Sequence, residues 1–192
     1  VTDAYGYQIQ INGSKIVDIP TGDTTKYDFT DVTPDTNYTF KLRAYNIGGE
    51  SAWTEVLNVT TLPDPPSVPV DISVETSKYS VTLSWPSVER AEAYWLMVDG
   101  VKIDNGNNTT FTHDNLRALS GHTYFIKAVN RGGESAWSEQ IDVTTWPEEP
   151  AIPTNILSTS GKTSISLSWY SVPYAESYEV EIDGQAIQNV TD

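Results

Sequence analysis

Few residues of this 192-residue chain have side chains suited to catalysis or metal binding. Cysteine is absent, which excludes disulfides, thiolate nucleophiles and cysteine-ligated zinc or iron–sulfur centres. The only two histidines are His113 and His122. No second metal ligand stands near His122 in the sequence, and the pattern places His113 in a different loop. The sequence therefore predicts a structural role for His122.

Carboxylate-rich and glycine-rich segments give no stronger indication of chemistry. Glu148 and Glu149 could in principle form a glycosidase pair, but prolines surround them and we interpret them as solvated linker residues. The segment 104–108 offers oxygen ligands but lacks the spacing and final glutamate of an EF-hand loop. The Gly-Gly pairs at 48–49 and 132–133 precede no helix that could complete a phosphate site. We predict no catalytic, cofactor-binding or metal-binding residue, and hence no enzyme and no cofactor.

The charge balance excludes two further classes of function. There are 26 acidic residues against 11 basic ones, a net charge of −15, and the basic residues form no cluster. Binding to nucleic-acid phosphates or to an anionic membrane surface needs clustered positive charge. No apolar run reaches the ~18 residues of a membrane-spanning helix. We expect no nucleic-acid partner and no membrane insertion.

Internal repetition dominates the organisation of the chain. The stretch Val81–Trp85 (VTLSW) returns 84 positions later as ISLSW, and GGESAW at 48–53 returns at the same offset as 132–137. Asn-Gly or Asp-Gly occurs at 12–13, 99–100 and 183–184, each after a run of alternating apolar and polar residues. Alternation is typical of half-buried strands, and these dipeptides favour tight hairpin turns. Units of roughly 85 residues with many short strands predict β-sandwiches.

Specific residues make the chain resemble tandem fibronectin type III domains of the kind found in bacterial extracellular proteins. Trp85 and Trp169 match the core tryptophan of that family. The stretch 32–38 (VTPDTNY) is similar to the family segment that ends in the tyrosine corner, whereas His122 stands at the corner position of the next repeat. The resemblance implies an all-β fold of tandem immunoglobulin-like β-sandwiches.

The repeat alignment predicts one complete repeat between two incomplete ones. Residues 1–66 (the front repeat) hold the later strands, 67–150 (the central repeat) are complete, and 151–192 (the tail repeat) hold the early strands. Proline-rich segments at 62–69 and 146–153 are expected to act as semi-rigid spacers. Three explanations stay open for the incomplete repeats, which would expose sheet edges. They are a longer array, misjudged boundaries, or head-to-tail completion of one copy by another.

One surface of the central repeat differs from its counterparts. Alternation predicts that Trp95, Met97, Phe125 and Val129 (the outward patch) share the outer face of one sheet, where the other repeats have polar or charged residues. We interpret the outward patch as a docking face for a partner domain or a platform for a sugar ring, or as a surface that a neighbouring repeat or linker covers. Trp53 and Trp137 are expected instead to stack on Arg43 and Lys127, respectively. Trp146 is expected to pack at a junction between repeats.

The resemblance implies a non-catalytic spacer and presentation array in a larger extracellular bacterial protein, either a carbohydrate-active enzyme or a surface adhesin. The expected partners are neighbouring domains of the same parent chain or other copies, with polysaccharide as a weak further candidate. One alternative is a structural or decoration module of a bacteriophage tail or virion. Another is a filament subunit that assembles head to tail by strand complementation. The expected location is extracellular: secreted, on the cell surface, or on a virion.

Overall fold

The computed structural model describes residues 3–190, and these form an all-β structure, which confirms the predicted fold class. Val1, which the sequence aligns with Val88 and Val172, lies outside the described residues. The described part of the chain contains no helix long and apolar enough to cross a membrane. The strands are β1 (Gly6–Ile11), β2 (Lys15–Ile19), β3 (Asn37–Asn46), β4 (Gly49–Glu50), β5 (Leu57–Thr60), β6 (Ser73–Thr76), β7 (Val81–Ser84), β8 (Ala93–Val98), β9 (Val101–Asp104), β10 (Thr110–His113), β11 (Gly121–Asn130), β12 (Gly133–Glu134), β13 (Ile141–Thr144), β14 (Leu157–Ser160), β15 (Ile165–Ser168), β16 (Tyr178–Ile182) and β17 (Gln185–Val190).

Within residues 67–150 the strands form two antiparallel sheets. One has the order β10-β7-β6, and the other has the order β12-β11-β8-β9, with β13 also paired to β11. Alternate residues of β7, β8 and β11 are buried between the sheets, as the period-2 pattern predicts. The buried core consists of Val81, Leu83, Trp85, Tyr94, Leu96, Val98, Tyr124, Ile126 and Ala128. A core between two facing sheets is what the predicted β-sandwich fold class implies.

The core tryptophan packs against a buried tyrosine of β8, and this tyrosine also bonds to the loop that precedes β8. The ring of Trp85 meets the ring of Tyr94 edge to face, with centroids 5.5 Å apart. The Tyr94 hydroxyl accepts a hydrogen bond from the backbone N–H of Val88 at 2.8 Å. In the tail repeat, Trp169 and Tyr178 reproduce the ring contact at 5.4 Å.

Only one sheet is formed by the described residues before position 66, with β2, β1, β3 and β4 in that order and β5 paired to β3. Tyr7 and Ile11 are buried there, whereas Leu42 and Val59, which would face a second sheet, are exposed. The tail repeat forms two hairpins, β14–β15 and β16–β17. Its Ile165, aligned with the fully buried Val81, is exposed.

The hairpin turns follow the prediction from the Asn-Gly and Asp-Gly pairs. Asn12 and Asp99 have φ angles of 50° and 49°, and Gly13 and Gly100 follow with 71° and 83°. Two successive positive φ angles give the type I′ turn, whose twist matches that of the flanking strands. These turns fix the register of β1 with β2 and of β8 with β9.

Candidate functional site

The outward patch lies where the alternation predicts, on the outer face of the β11–β8 pair. Met97 is directly opposite Phe125 in the register, and Val129 is opposite Ala93. Trp95 is opposite Lys127. All four patch side chains are half-buried, so they are less open to solvent than their sequence positions suggest.

Two lysines reduce the apolar area around Trp95 and its neighbours. The Lys102 Nζ lies 3.0 Å from the centroid of the Trp95 ring. Lys127 reaches across the sheet to Trp137, with Nζ 4.5 Å from that ring centroid, and pairs with Glu134 at 2.8 Å. The surface therefore alternates cations with aromatic rings, and Lys102 covers the face of the Trp95 ring that a sugar would need.

The expected stacking contacts of Trp53 and Trp137 are confirmed. Arg43 lies over Trp53 with its guanidinium carbon 4.4 Å from the ring centroid, just as Lys127 lies over Trp137. Arg43 also donates to the side-chain oxygen of Gln8 at 2.7 Å and pairs with Glu50. Each repeat thus holds its last segment to β3 or β11 through one cation and one tryptophan.

The serine of the GGESAW motif completes the hydrogen bonding of β11, a role that the sequence interpretation left unassigned. Ser135 Oγ accepts from the backbone N–H of Ala128 at 3.0 Å, and Ser138 Oγ accepts from the N–H of Ile126 at 3.0 Å. Ser51 and Thr54 make the same two bonds in the front repeat. The motif serine, and a hydroxyl residue just after the motif, thus supply acceptors to the neighbouring long strand in both repeats.

A cluster of titratable side chains forms where the two sheets of the central repeat meet. His113 ends β10 in one sheet, His122 lies on β11 in the other, and Asp99 lies in the β8–β9 turn. One ligand atom from each residue lies within 4.8 Å of the others. We call these three residues the histidine cluster. The premise that the two histidines are apart is wrong, because their ring centroids are only 5.1 Å apart.

Hydrogen bonds orient each member of the histidine cluster. His122 Nδ1 is 2.7 Å from Asp99 Oδ2, and His122 Nε2 is 2.8 Å from Ser120 Oγ. His113 Nδ1 is 3.1 Å from the Tyr124 hydroxyl. The other oxygen of Asp99 accepts from the backbone N–H of Thr123 at 2.8 Å.

The electrostatics of the cluster favour an ionised Asp99 and a neutral Tyr124. Burial acts to raise the pKa of Asp99, but hydrogen bonds from His122 and from the Thr123 N–H outweigh it and lower that pKa below its usual value. Burial raises the pKa of Tyr124 to about 12, with a smaller contribution from the charge of Asp99. At neutral pH the cluster therefore places an ionised carboxylate beside the two histidine rings.

The corner position differs between the two repeats. In the front repeat the Tyr38 hydroxyl accepts from the backbone N–H of Thr33 at 2.9 Å, which is the tyrosine corner that the resemblance implies. His122 instead bonds to Ser120, whose hydroxyl lies 2.6 Å from the carbonyl oxygen of Arg117. His122 is thus anchored locally through Ser120 and also joins the histidine cluster.

The junctions on both sides of the central repeat are held by specific contacts. Asn130 donates to the carbonyl oxygen of Asp64 at 2.8 Å, and the Asp64 carboxylate pairs with Arg90 at 3.2 Å. Arg131 reaches the front repeat and pairs with Asp35 at 2.8 Å. The linker and the front repeat are therefore both attached to the same edge of the central repeat.

Glu148 and Glu149 are exposed in the linker, as expected for solvated residues, and both also bond to the central repeat. The Tyr79 hydroxyl donates to Glu148 at 2.8 Å, and Lys78 pairs with Glu149 at 2.6 Å. These bonds raise the pKa of Tyr79 and lower that of Glu149. The expected packing of Trp146 at the junction is wrong, because its side chain is 59% exposed while its backbone bonds to Ser77 and Leu119.

Comparisons with known proteins show which domain family the front repeat matches. Residues 2–60 match the family model described as fibronectin type III domain. The chain is 29% identical over 188 residues to exoglucanase B of Cellulomonas fimi, covering 88% of this chain and 17% of that protein. It is 26% identical over 168 residues to the cell adhesion molecule DSCAM of Rattus norvegicus, covering 78% of this chain and 8% of that protein.

A solved structure shows the same fold. The crystal structure of chicken CNTN1 FN1–FN3 domains aligns with a TM-score of 0.51 and 22% identity, over 73% of this chain and 54% of that one. The chain spans less than a fifth of the length of either of the two relatives named above. The family match over residues 2–60, together with the internal repeats, shows that the chain contains fibronectin type III repeats in tandem.

Proposed function

We propose that the chain is a non-catalytic spacer and presentation array of a larger extracellular bacterial protein, either a carbohydrate-active enzyme or a surface adhesin. The observation that carries this proposal is the pair of bonded junctions. Asp64 is held by Asn130 and Arg90, and Glu148 and Glu149 are held by Tyr79 and Lys78. Together with the Arg131–Asp35 pair, the bonded linker at Asp64 transmits orientation between the front and central repeats, which a flexible tether does not.

The relatives support the same proposal at the level of context. Exoglucanase B is named as a bacterial enzyme, and DSCAM is named as a cell adhesion molecule. In both, the matched region is a minor part of the whole protein. A repeat array that accompanies another functional domain is consistent with both relatives.

Residual dipolar couplings of backbone amides test the stiffness that a spacer needs. We expect the front and central repeats of the chain to share one alignment tensor. Asn130→Asp removes the donor to Asp64 but keeps an acceptor oxygen for the turn, so this variant should give two separate tensors. Asn46→Asp is the matched control, because Asn46 bonds to Asp3 and Gly48 within its own repeat. Separate tensors in the unmodified chain would contradict the proposal.

The outward patch is proposed as the face that a neighbouring domain of the parent protein contacts. A mixed surface of lysines and aromatic side chains suits an acidic protein partner better than a sugar ring, since Lys102 covers the Trp95 ring. A pull-down on insoluble cellulose separates the two occupants. We expect no retention of the chain, whereas retention that Trp95→Ala abolishes would favour the polysaccharide.

A second candidate function, head-to-tail self-assembly, rests on two matching open surfaces. An apolar groove of about 750 Å³ lies on the front repeat, lined by Ile9, Phe40, Leu42 and other side chains. In the central repeat the equivalent residues are covered by Val81 and Leu83 of β7. The tail hairpin β14–β15 carries the equivalents of those covering residues, and there they are exposed.

We propose a second copy as the occupant of the front groove, with its tail hairpin in the place that β6–β7 takes in the central repeat. Sedimentation velocity over a range of concentrations should then show growing oligomers. Leu167→Asp should abolish the growth, whereas Ser166→Asp, on the opposite face of the same strand, should not. A chain that stays monomeric at all concentrations would remove this candidate.

A further inference from the structure

The histidine cluster has the donor set of a transition-metal site. Two imidazoles and one carboxylate are a ligand set that Zn²⁺ accepts, and three protein ligands leave a fourth position for water. Asp99 is exposed at the surface, and the side chain of His122 is 13% exposed, so an ion can reach the cluster from solvent. The formal charge of the chain is −15, which favours the approach of a cation.

The front repeat shows that the fold itself does not require these residues. At the positions of His113, His122 and Tyr124 it has Phe29, Tyr38 and Phe40. Those three rings pack edge to face, with Phe29 centred 5.5 Å from Tyr38 and 5.8 Å from Phe40.

The turn position also differs between the two repeats. Asn12 stands in the place of Asp99 and makes the same bond to the backbone of β3 that Asp99 makes to β11. The central repeat therefore has metal ligands at three positions where apolar or neutral side chains serve the fold.

In each histidine of the cluster, one ring nitrogen is within hydrogen-bond distance of a hydroxyl oxygen. Ser120 contacts one nitrogen of His122, and Tyr124 contacts one nitrogen of His113. Ligand histidines commonly have one ring nitrogen held by an oxygen atom in this way, which fixes the ring orientation and the tautomer.

We propose that Asp99, His113 and His122 bind one divalent transition-metal ion of the zinc class, which bridges the two sheets of the central repeat. Ligand atoms around a tetrahedral zinc ion lie about 3.3 Å apart, as follows from zinc–ligand distances of about 2.0–2.2 Å. The ligand atoms of the cluster lie within 4.8 Å of one another, so movement of the exposed Asp99 side chain and small rotations of the two imidazoles close the site. The ion takes the place of the 2.7 Å hydrogen bond between His122 Nδ1 and Asp99 Oδ2.

The experiment is a titration of the tag-free chain with ZnCl₂, followed by histidine ring ¹⁵N resonances. The chain has two histidines, so their signals are few and readily assigned. We expect both histidines to shift together and to reach an end point at one zinc per chain. The melting temperature should rise with zinc concentration, because the ion binds the folded state, and should not rise with MgCl₂.

A front-like variant provides the matched control. The triple change Asp99→Asn, His113→Phe and His122→Tyr gives the central repeat the residues that its neighbour already uses. We expect this variant to fold and to lose the zinc response. The milder Ser120→Ala removes only the hydroxyl behind His122 and should weaken zinc binding about 10-fold.

Two results would overturn the proposal. One is the absence of any shift of either histidine up to millimolar zinc in the unmodified chain, a measurement that does not depend on whether a variant folds. The other is zinc binding of undiminished affinity in the front-like variant, which would place the ion elsewhere.

Discussion

The front and central repeats share a strand frame but fill it differently. In the front repeat the positions around the corner hold Phe29, Tyr38 and Phe40, which pack on one another as rings. In the central repeat the same positions hold His113, His122 and Tyr124, where one hydrogen bond joins His113 to Tyr124 and ring contacts join His113 to both other residues. The sandwich needs planar side chains at these sites, and it leaves their chemistry open.

The two repeats also differ in how much of their sheet is covered. Leu96 and Ile126 are fully buried under β7, whereas Leu42, the equivalent of Ile126, is exposed. Equivalent residues can therefore be changed one for one, and the difference in effect measures what the second sheet contributes. The four predictions below use such pairs, in order of decreasing size.

The largest difference is expected for the apolar residue at the centre of β8 and β1. Leu96→Ala should lower the free energy of unfolding of the central repeat by about 2–5 kcal/mol, because it leaves a cavity in a closed core. Ile9→Ala should cost the front repeat about 1 kcal/mol, because Ile9 is only half-buried. Urea titrations followed by amide resonances of each repeat measure both. Equal losses would mean that the front groove is covered in solution.

The next difference concerns alkaline pH. The pKa of Tyr124 is raised to about 12, so the unfolded chain releases this proton first as the pH rises above about 10. The central repeat should therefore lose about 2 kcal/mol of stability between pH 10 and pH 12. Tyr124→Phe, the residue that the front repeat has at position 40, should remove this pH dependence. An unchanged alkaline profile in the variant would assign the loss to other groups.

A smaller difference is expected for the hydroxyl groups beside the long strands. Ser138→Ala leaves the buried N–H of Ile126 without its side-chain acceptor, at a cost of about 1–3 kcal/mol. The equivalent Thr54→Ala exposes the N–H of Leu42 to water and should cost about 0.5 kcal/mol. Hydrogen exchange at these two amides reports each loss directly. Ser138→Thr, which keeps the hydroxyl, is the control.

The smallest difference is expected for the cations over the tryptophans. Lys127→Met keeps the aliphatic stem but removes the charge above Trp137, and should cost about 0.5 kcal/mol. Arg43→Met removes in addition the bonds to Gln8 and Glu50, so its effect should be larger. Thermal denaturation at low and high salt distinguishes the two, since screening weakens ionic contacts. A larger effect at Lys127 would contradict this order.

Local patterns were sufficient to predict much of the fold. Alternation placed Tyr94 and Leu96 inward and Trp95 outward, and Asp99-Gly100 marked a tight turn. Both features depend on neighbours in sequence, because strand pleating and turn geometry are local properties.

The contacts that the sequence interpretation missed join distant segments. His113 meets His122 because β10 and β11 belong to different sheets that face each other, and no local pattern records that distance. Glu148 is held by Tyr79, which lies 69 positions earlier in the chain. A signal for the histidine cluster was nevertheless present in the 84-residue offset. It aligns His113 with Phe29 and His122 with Tyr38, two residues of one aromatic cluster.

The serine hydroxyls beside β11 affect whether strands of neighbouring, similar repeats can pair wrongly. Besides accepting from β11, Ser135 donates to the carbonyl oxygen of Ala136 at 2.7 Å, and Ser138 donates to that of Glu139 at 2.9 Å. These two carbonyl groups lie along the edge of the sheet, where the N–H groups of a strand from a similar repeat would need acceptors in order to pair. With both already engaged, the border is a poor template for mispairing. Neighbouring repeats that share these motifs can then fold side by side without exchanging strands along this border.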